Sequence, residues 1–180
     1  MEIVFRICYT FNMKILNKVT KFFGLNDETW MQHSNKWSVW TRFFILPFLA
    51  AAIWSHVWIG WYSLVFVGVL LFWTWINPRF FGKPKTTKHW ASKAVFGERV
   101  WLRKDELPIA KHHLRAITIL NAIIGSGLPF LVWGLYMLQV WPVLLGLTLV
   151  ILGKMWFLDR MVWVYDDMKN KSEEYLSWEY

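Results

Sequence analysis

The sequence predicts an all-α integral membrane protein: a four-helix bundle made of two transmembrane hairpins, with interfacial amphipathic helices beside it. Three observations predict this. Two long windows contain no Asp, Glu, Lys or Arg, every basic residue lies outside the turns those windows enclose, and 15 of 180 residues are Trp. The chain is 56% hydrophobic and only 18% charged, where a soluble domain would carry about a quarter charged residues. A soluble helical protein burying both windows would need amphipathic helices to wrap them, and too few polar segments remain. The lone Cys8 rules out an internal disulfide and a Cys-based zinc site.

Residues 1–24 read as a basic amphipathic interfacial helix. Val4, Cys8, Phe11, Ile15, Val19 and Phe22 share one face, with Arg6, Lys14 and Lys21 opposite. No uninterrupted apolar stretch and cleavage site follow the charges, so a signal peptide is not expected.

The membrane domain is expected over 25–168. Between Arg42 and Arg79 lie 36 residues free of Asp, Glu, Lys and Arg, and between Arg115 and Lys154 another 38. Each window is too long for one helix of about 20 residues across a hydrocarbon core and suits two short ones. The first is read as spans 43–54 and 61–76 joined by Ser55–Gly60, with Asn77-Pro78 breaking the helix. The second gives spans 116–138 and 143–158, turning at Gln139–Pro142. Within the second hairpin, Ala122 and Ser126 form a small-xxx-small pair, and Gly125, Gly127, Gly146 and Gly153 permit close helix approach.

Of the 20 basic residues, six fall in 1–42, ten in 79–115 and four in 154–180. The positive-inside rule then places both termini and the 79–115 loop in the cytoplasm of a cell-membrane protein. That loop carries most of the +8 net charge, so anionic headgroups of the inner leaflet are the expected partner, rather than nucleic acid. Trp37, Trp40, Trp73, Trp75, Trp156 and Trp163 would form the inner belt, and Trp54, Trp58, Trp61 and Trp141 the outer one. Inside the loop, Trp90, Ala94 and Trp101 recur at helical spacing, predicting a helix from Lys88 to Arg103 on the inner leaflet. Pro108 is placed in the first turn of span three. Residues 169–180 read as a polar tail, in part without fixed structure.

The hairpins share a pattern. Leu46-Pro47-Phe48-Leu49, Val57-Trp58 and Trp75 in the first correspond to Leu128-Pro129-Phe130-Leu131, Val140-Trp141 and Trp156 in the second. A parallel repeat explains this spacing, and chance matching in Leu- and Trp-rich sequence is its competitor.

Four strings carry a resemblance: His33-Ser34-Asn35-Lys36-Trp37-Ser38-Val39-Trp40-Thr41-Arg42, Asn77-Pro78-Arg79, Gly97-Glu98-Arg99-Val100-Trp101 and Trp156-Phe157-Leu158-Asp159-Arg160. Together they resemble a domain-of-unknown-function family of small bacterial and archaeal multi-pass membrane proteins, over about residues 27–168. Lys36 stands where that pattern commonly has proline, which affects a local turn. The resemblance implies a topology and no activity.

Polar residues at membrane depth are few, which argues against a pump or exchanger; Thr118, Asn121, Ser126 and Thr148 are assigned to helix packing. The inner face is richer. His33, His112 and Asp159 are the catalytic candidates, and His33, His112, His113 and Asp159 the candidates for a single metal ion. Five histidines are too few for a membrane di-iron oxygenase, and no cofactor is expected. Arg42, Arg79, Arg99 and Arg160 are candidates for an anion or lipid-headgroup pocket. The structural alternative pairs Glu98 and Asp159 with Arg42, Arg79 and Arg160, docking the loop helix under the bundle. Three functions are open: a non-enzymatic membrane component that binds lipids, a membrane protein partner or a second copy of itself, an interfacial enzyme for an amphipathic substrate, and a small oligomeric transporter.

Overall fold

The computed structural model describes residues 26–104 and 107–180; the N-terminal helix expected over 1–24 lies outside them. The described chain is helical, without strands, in the order α1 Asp27–His33, α2 Lys36–Trp54, α3 His56–Ile59, α4 Ser63–Phe80, α5 Trp90–Leu102, α6 Lys111–Tyr136, α7 Val140–Met168 and α8 Glu173–Ser177. Single 3-10 turns occupy Gly60–Tyr62 and Lys169–Lys171.

Three helical stretches are long and apolar enough to cross a membrane: Lys36–Phe80, Lys111–Tyr136 and Val140–Lys171. The first is interrupted between Ser55 and Tyr62, where Gly60 adopts φ 56°, a conformation open to glycine but costly for residues with a β-carbon. Beyond that break the chain folds back, because Ser38 on α2 hydrogen-bonds Asn77 on α4 at 2.8 Å and Asn77 donates to Thr41 at 2.9 Å.

The helices overrun the charge-free windows. Asn35 caps α2 by accepting from the Trp37 amide, so the helix starts at Lys36 rather than near Phe43. Asn77-Pro78 does not stop α4: Pro78 lies inside its last turn and the helix ends at Phe80. Pro108, in contrast, lies outside α6, which begins at Lys111. The turn between α6 and α7 is shorter than predicted, with Leu138 at φ 53°. Pro142 falls in the first turn of α7, where a missing N–H leaves no intrahelical bond unmade. At 29 residues and about 1.5 Å per residue, α7 is longer than a hydrocarbon core requires, and its last third enters a different environment.

That environment is a packed cap at one end of the molecule. Ala94, Phe96, Met161, Val164 and Tyr165 are fully buried there, with Val95, Val100, Met168 and Tyr175 nearly so. A smaller cluster near the opposite end joins Ala50 of α2 to Leu131 of α6 and Val143 of α7. Between them the long helices present Phe44, Phe48, Phe66, Phe72, Val132, Leu144 and Leu152 to the outside. So many exposed large apolar side chains are uncommon on water-soluble monomers.

Two expectations fail in the cap. Helix α5 has nearly the predicted limits but does not lie on a surface: Ala91, Ala94, Val95, Phe96, Gly97, Val100 and Trp101 are all buried. Its small residues admit α7, and its Trp and Val side chains fill the core. The 169–180 segment is no free tail either. Tyr175 and Trp178 are buried beside Phe96, and the Tyr180 backbone is held by Thr86 and Thr87 through contacts of 2.8–3.2 Å. The apolar surface of these aromatic residues outweighs the polar side chains between them.

Helices α6 and α7 form the tightest pair. A β-carbon on Gly146 would lie 2.6 Å from Leu131 N, and one on Gly134 2.6 Å from Val143 N. Gly127 and Gly153 share this seam, but Gly125 faces open space, and Ala122 and Ser126 are exposed. The Ala122–Ser126 pair therefore faces away from α7. The hydroxyls of Thr118 and Ser126 donate to carbonyls of their own helix.

Candidate functional site

The polar residues singled out in the sequence gather at the cap, but in separate groups. His33 ends α1 and is buried. Arg42, two turns along α2, donates to its Nε2 and also binds Ser38 O at 2.9 Å. Because arginine only donates, the His33 proton resides on Nδ1, which is buried without a partner among the described residues. Burial holds the His33 pKa well below its ordinary 6.5, with the charges of Arg42 and then Lys154 acting in the same direction.

The loop helix is docked by ion pairs, though not to the arginines proposed for it. Glu98 binds Lys154 at 2.6 Å, and Asp159 accepts from Trp90 Nε1 at 3.1 Å. On the far side of α5, Arg99 pairs with Asp27, lies 3.6 Å from Glu174 and sits 4.1 Å over the Trp178 ring. Burial lowers its pKa and Asp27 opposes the shift. Lys93 binds Asp166 at 3.0 Å, and Lys169 bridges Asp166 and Glu179.

The catalytic set His33, His112 and Asp159 does not converge. His33 belongs with Arg42, Asp159 with Trp90, and His112 stacks on His113 with ring centroids 4.1 Å apart. The metal set changes membership accordingly. His112, His113 and Asp167 bring one ligand atom each within 4.8 Å of one another, while His33 and Asp159 lie outside that group. His113 Nε2 is 2.7 Å from Asp167 Oδ2, and its Nδ1 is buried without a partner. A ligating histidine nearly always donates its second N–H to an acceptor, and none is supplied to Nδ1 by the described residues. The arrangement fits a hydrogen bond from Nε2–H to Asp167 better than a metal centre.

The four arginines do not share a pocket. Arg42 serves His33, Arg99 serves Asp27, Arg79 lies 5.2 Å over Trp75 and Arg160 5.5 Å over Trp163. In both of the last two the guanidinium lies over a Trp ring about one turn away on its own helix. The basic cavity that does form was missed in the sequence. It occupies about 440 Å³ between the start of α2 and the loop before α5, and is lined by Asn35, Lys36, Trp37, Lys83, Lys85 and His89 among others. Its lysines come from segments nearly 50 residues apart, held together by the Asn35 Nδ2 bond to Gly82 O at 3.0 Å. The signal was in the string Gly82-Lys83-Pro84-Lys85, too short to distinguish from a solvated loop. A second cavity, of about 500 Å³, is lined by Trp40, Trp90, Met155, Trp156 and Asp159.

Comparison with curated proteins finds no match, and neither does comparison with solved structures. The family model of a "Family of unknown function (DUF6653)" matches residues 14–177, spanning the helices, the cap and both cavities, and the chain belongs to that family.

Proposed function

We propose that this protein is a four-span membrane component, with both termini and the cap in the cytoplasm, that binds anionic lipid headgroups at the inner leaflet of the cell membrane without catalysing a reaction on them. The observation that carries this reading is the basic cavity. Lys36, Lys83, Lys85 and His89 surround it, and Trp37, 60% exposed, borders it where the apolar helix surface begins. Each lysine near an anionic membrane surface contributes about 1 kcal/mol of attraction, and the half-open cavity suits a phosphate group whose acyl chains remain in the bilayer. The exposed Trp75, Trp156 and Trp163 at one end and Trp58, Trp61 and Trp141 at the other support two interfacial belts.

Two measurements test this. After reconstitution with phosphatidylglycerol, the Lys36→Ala/Lys83→Ala/Lys85→Ala variant should retain several-fold less of that lipid than the wild type in native mass spectrometry; equal retention sinks the headgroup assignment. In a Cys8→Ser background, cysteines at positions 60 and 139 should label from outside cells and one at position 85 only after permeabilisation. The reverse pattern overturns the orientation.

A further inference from the structure

We propose that the cavity of Trp40, Trp90, Met155, Trp156 and Asp159 binds the primary ammonium of an ethanolamine-type lipid headgroup. The inference rests on the membrane-embedded reading above but uses a different cavity and the opposite charge. Three of its five lining residues are Trp, and the rings of Trp40 and Trp90 lie nearly parallel at 28° with centroids 6.0 Å apart. Indole faces attract cations through the ring quadrupole, Trp most strongly of the aromatic residues.

The fifth residue supplies the charge. Asp159 Oδ1 is oriented by Trp90 Nε1 at 3.1 Å, and Asp159 takes part in no ion pair among the described residues. Cations nearby in sequence are engaged elsewhere: Lys154 with Glu98, Lys93 with Asp166 and Arg160 over Trp163. Asp159 is exposed, so water screens its charge, and a cation in the cavity adds the quadrupole attraction of the flanking indole faces to that screened Coulombic attraction. An anion would be repelled by both, and an acyl chain would leave the carboxylate uncompensated. A primary ammonium has N–H donors for Asp159 that a quaternary ammonium lacks. The source is a lipid because Trp156, 63% exposed, lies on α7 where the apolar stretch gives way to the cap.

The test uses the full chain reconstituted in phosphatidylethanolamine with phosphatidylglycerol, read by native mass spectrometry of retained lipids. Asp159→Asn keeps an acceptor for Trp90 while removing the charge, and Trp156→Leu alters only an exposed face; melting temperatures near wild type verify that both fold. Each should lower retained phosphatidylethanolamine by about fivefold or more and leave phosphatidylglycerol unchanged. Phosphatidylcholine in place of phosphatidylethanolamine should be retained less, and free ethanolamine should compete only at far higher concentration. Wild-type retention by both variants overturns the proposal, and so does equal retention of the choline lipid. Loss of the phosphatidylglycerol effect in the triple lysine variant would defeat the previous reading and leave this one standing.

Discussion

Gly97 on α5 lies directly against the backbone of Met161 on α7, too close for either residue to carry another atom between them. This contact sets how deeply α5 sinks into the cap, and it lets Phe96 reach Tyr165 with ring centroids 5.3 Å apart. A methyl group at position 97 would meet main chain, which cannot rotate aside. Gly97→Ala should therefore destabilise the protein by about 2–3 kcal/mol or more, at the upper end of overpacking costs. Gly125→Ala is the control, because its added carbon meets nothing within 4 Å; it should be neutral or stabilising by up to about 1 kcal/mol. Thermal unfolding in a single detergent compares the two.

His33 makes stability depend on pH with a definite sign. Its folded pKa lies well below 6.5 because burial, Arg42 and Lys154 all oppose the charged ring, whereas the unfolded chain takes up the proton near 6.5. Between those two values the unfolded state binds more protons, so stability is full above about 6.5 and falls as pH drops below it. The slope contributed by one such group approaches about 1.4 kcal/mol per pH unit. Melting curves from pH 5 to 7.5 should show this decline in the wild type and a shallower one in His33→Gln. Parallel declines would remove His33 as the cause.

Asn77 is buried and joins Ser38 to Thr41 across the first helix pair. Asn77→Leu deletes both bonds and leaves two hydroxyls facing an apolar side chain. Interhelical hydrogen bonds of this kind are worth about 0.6–2 kcal/mol each in membranes, so a loss of about 1–3 kcal/mol is expected. Ser38→Ala, which removes one bond, should cost less than half as much. A null result for Asn77→Leu would mean that α2 and α4 are held by apolar packing alone.

The long helices were legible because charge is absent from their exposed apolar stretches, which leaves windows that can be read residue by residue. Their ends were not, because a charged residue ends a membrane span without ending a helix. Helix α7 runs through Asp159, Arg160, Asp166 and Asp167 to Met168, and that extension is what builds the cap. The membrane pattern also concealed the nature of α5. Its Trp90, Ala94 and Trp101 stripe reads equally as a lipid-facing or a core-facing surface, and only Gly97 against Met161 decides it. Distance in sequence from each turn is a further signal. Ser38 and Asn77 are equidistant in sequence from the α3 turn, and His113 and Asp167 from Val140, so each pair was placed together once the turn was located. Asp159 lacks that relation to either histidine, which is why the first metal set fails.

The His113–Asp167 pair yields the prediction that separates a structural from a metal-binding role. It ties the first turns of α6 to the last turns of α7 at 2.7 Å, with His113 1% exposed and the Asp167 side chain 59% exposed. With the ring proton on Nε2, Nδ1 is left as a bare acceptor. A metal on Nε2 would instead strand a buried Nδ1–H donor, at a cost of about 1–3 kcal/mol. The structural role predicts that Asp167→Ala lowers stability by about 1 kcal/mol, reduced from the usual charged hydrogen bond because water reaches the carboxylate. His112→Ala, which removes an exposed ring, should have little effect on stability. It also predicts that added zinc leaves the melting temperature of wild type and His112→Ala equally unchanged. A zinc-dependent rise in the wild type that vanishes in both His112→Ala and Asp167→Ala would show that the three residues bind metal, and would overturn the purely structural role of the pair.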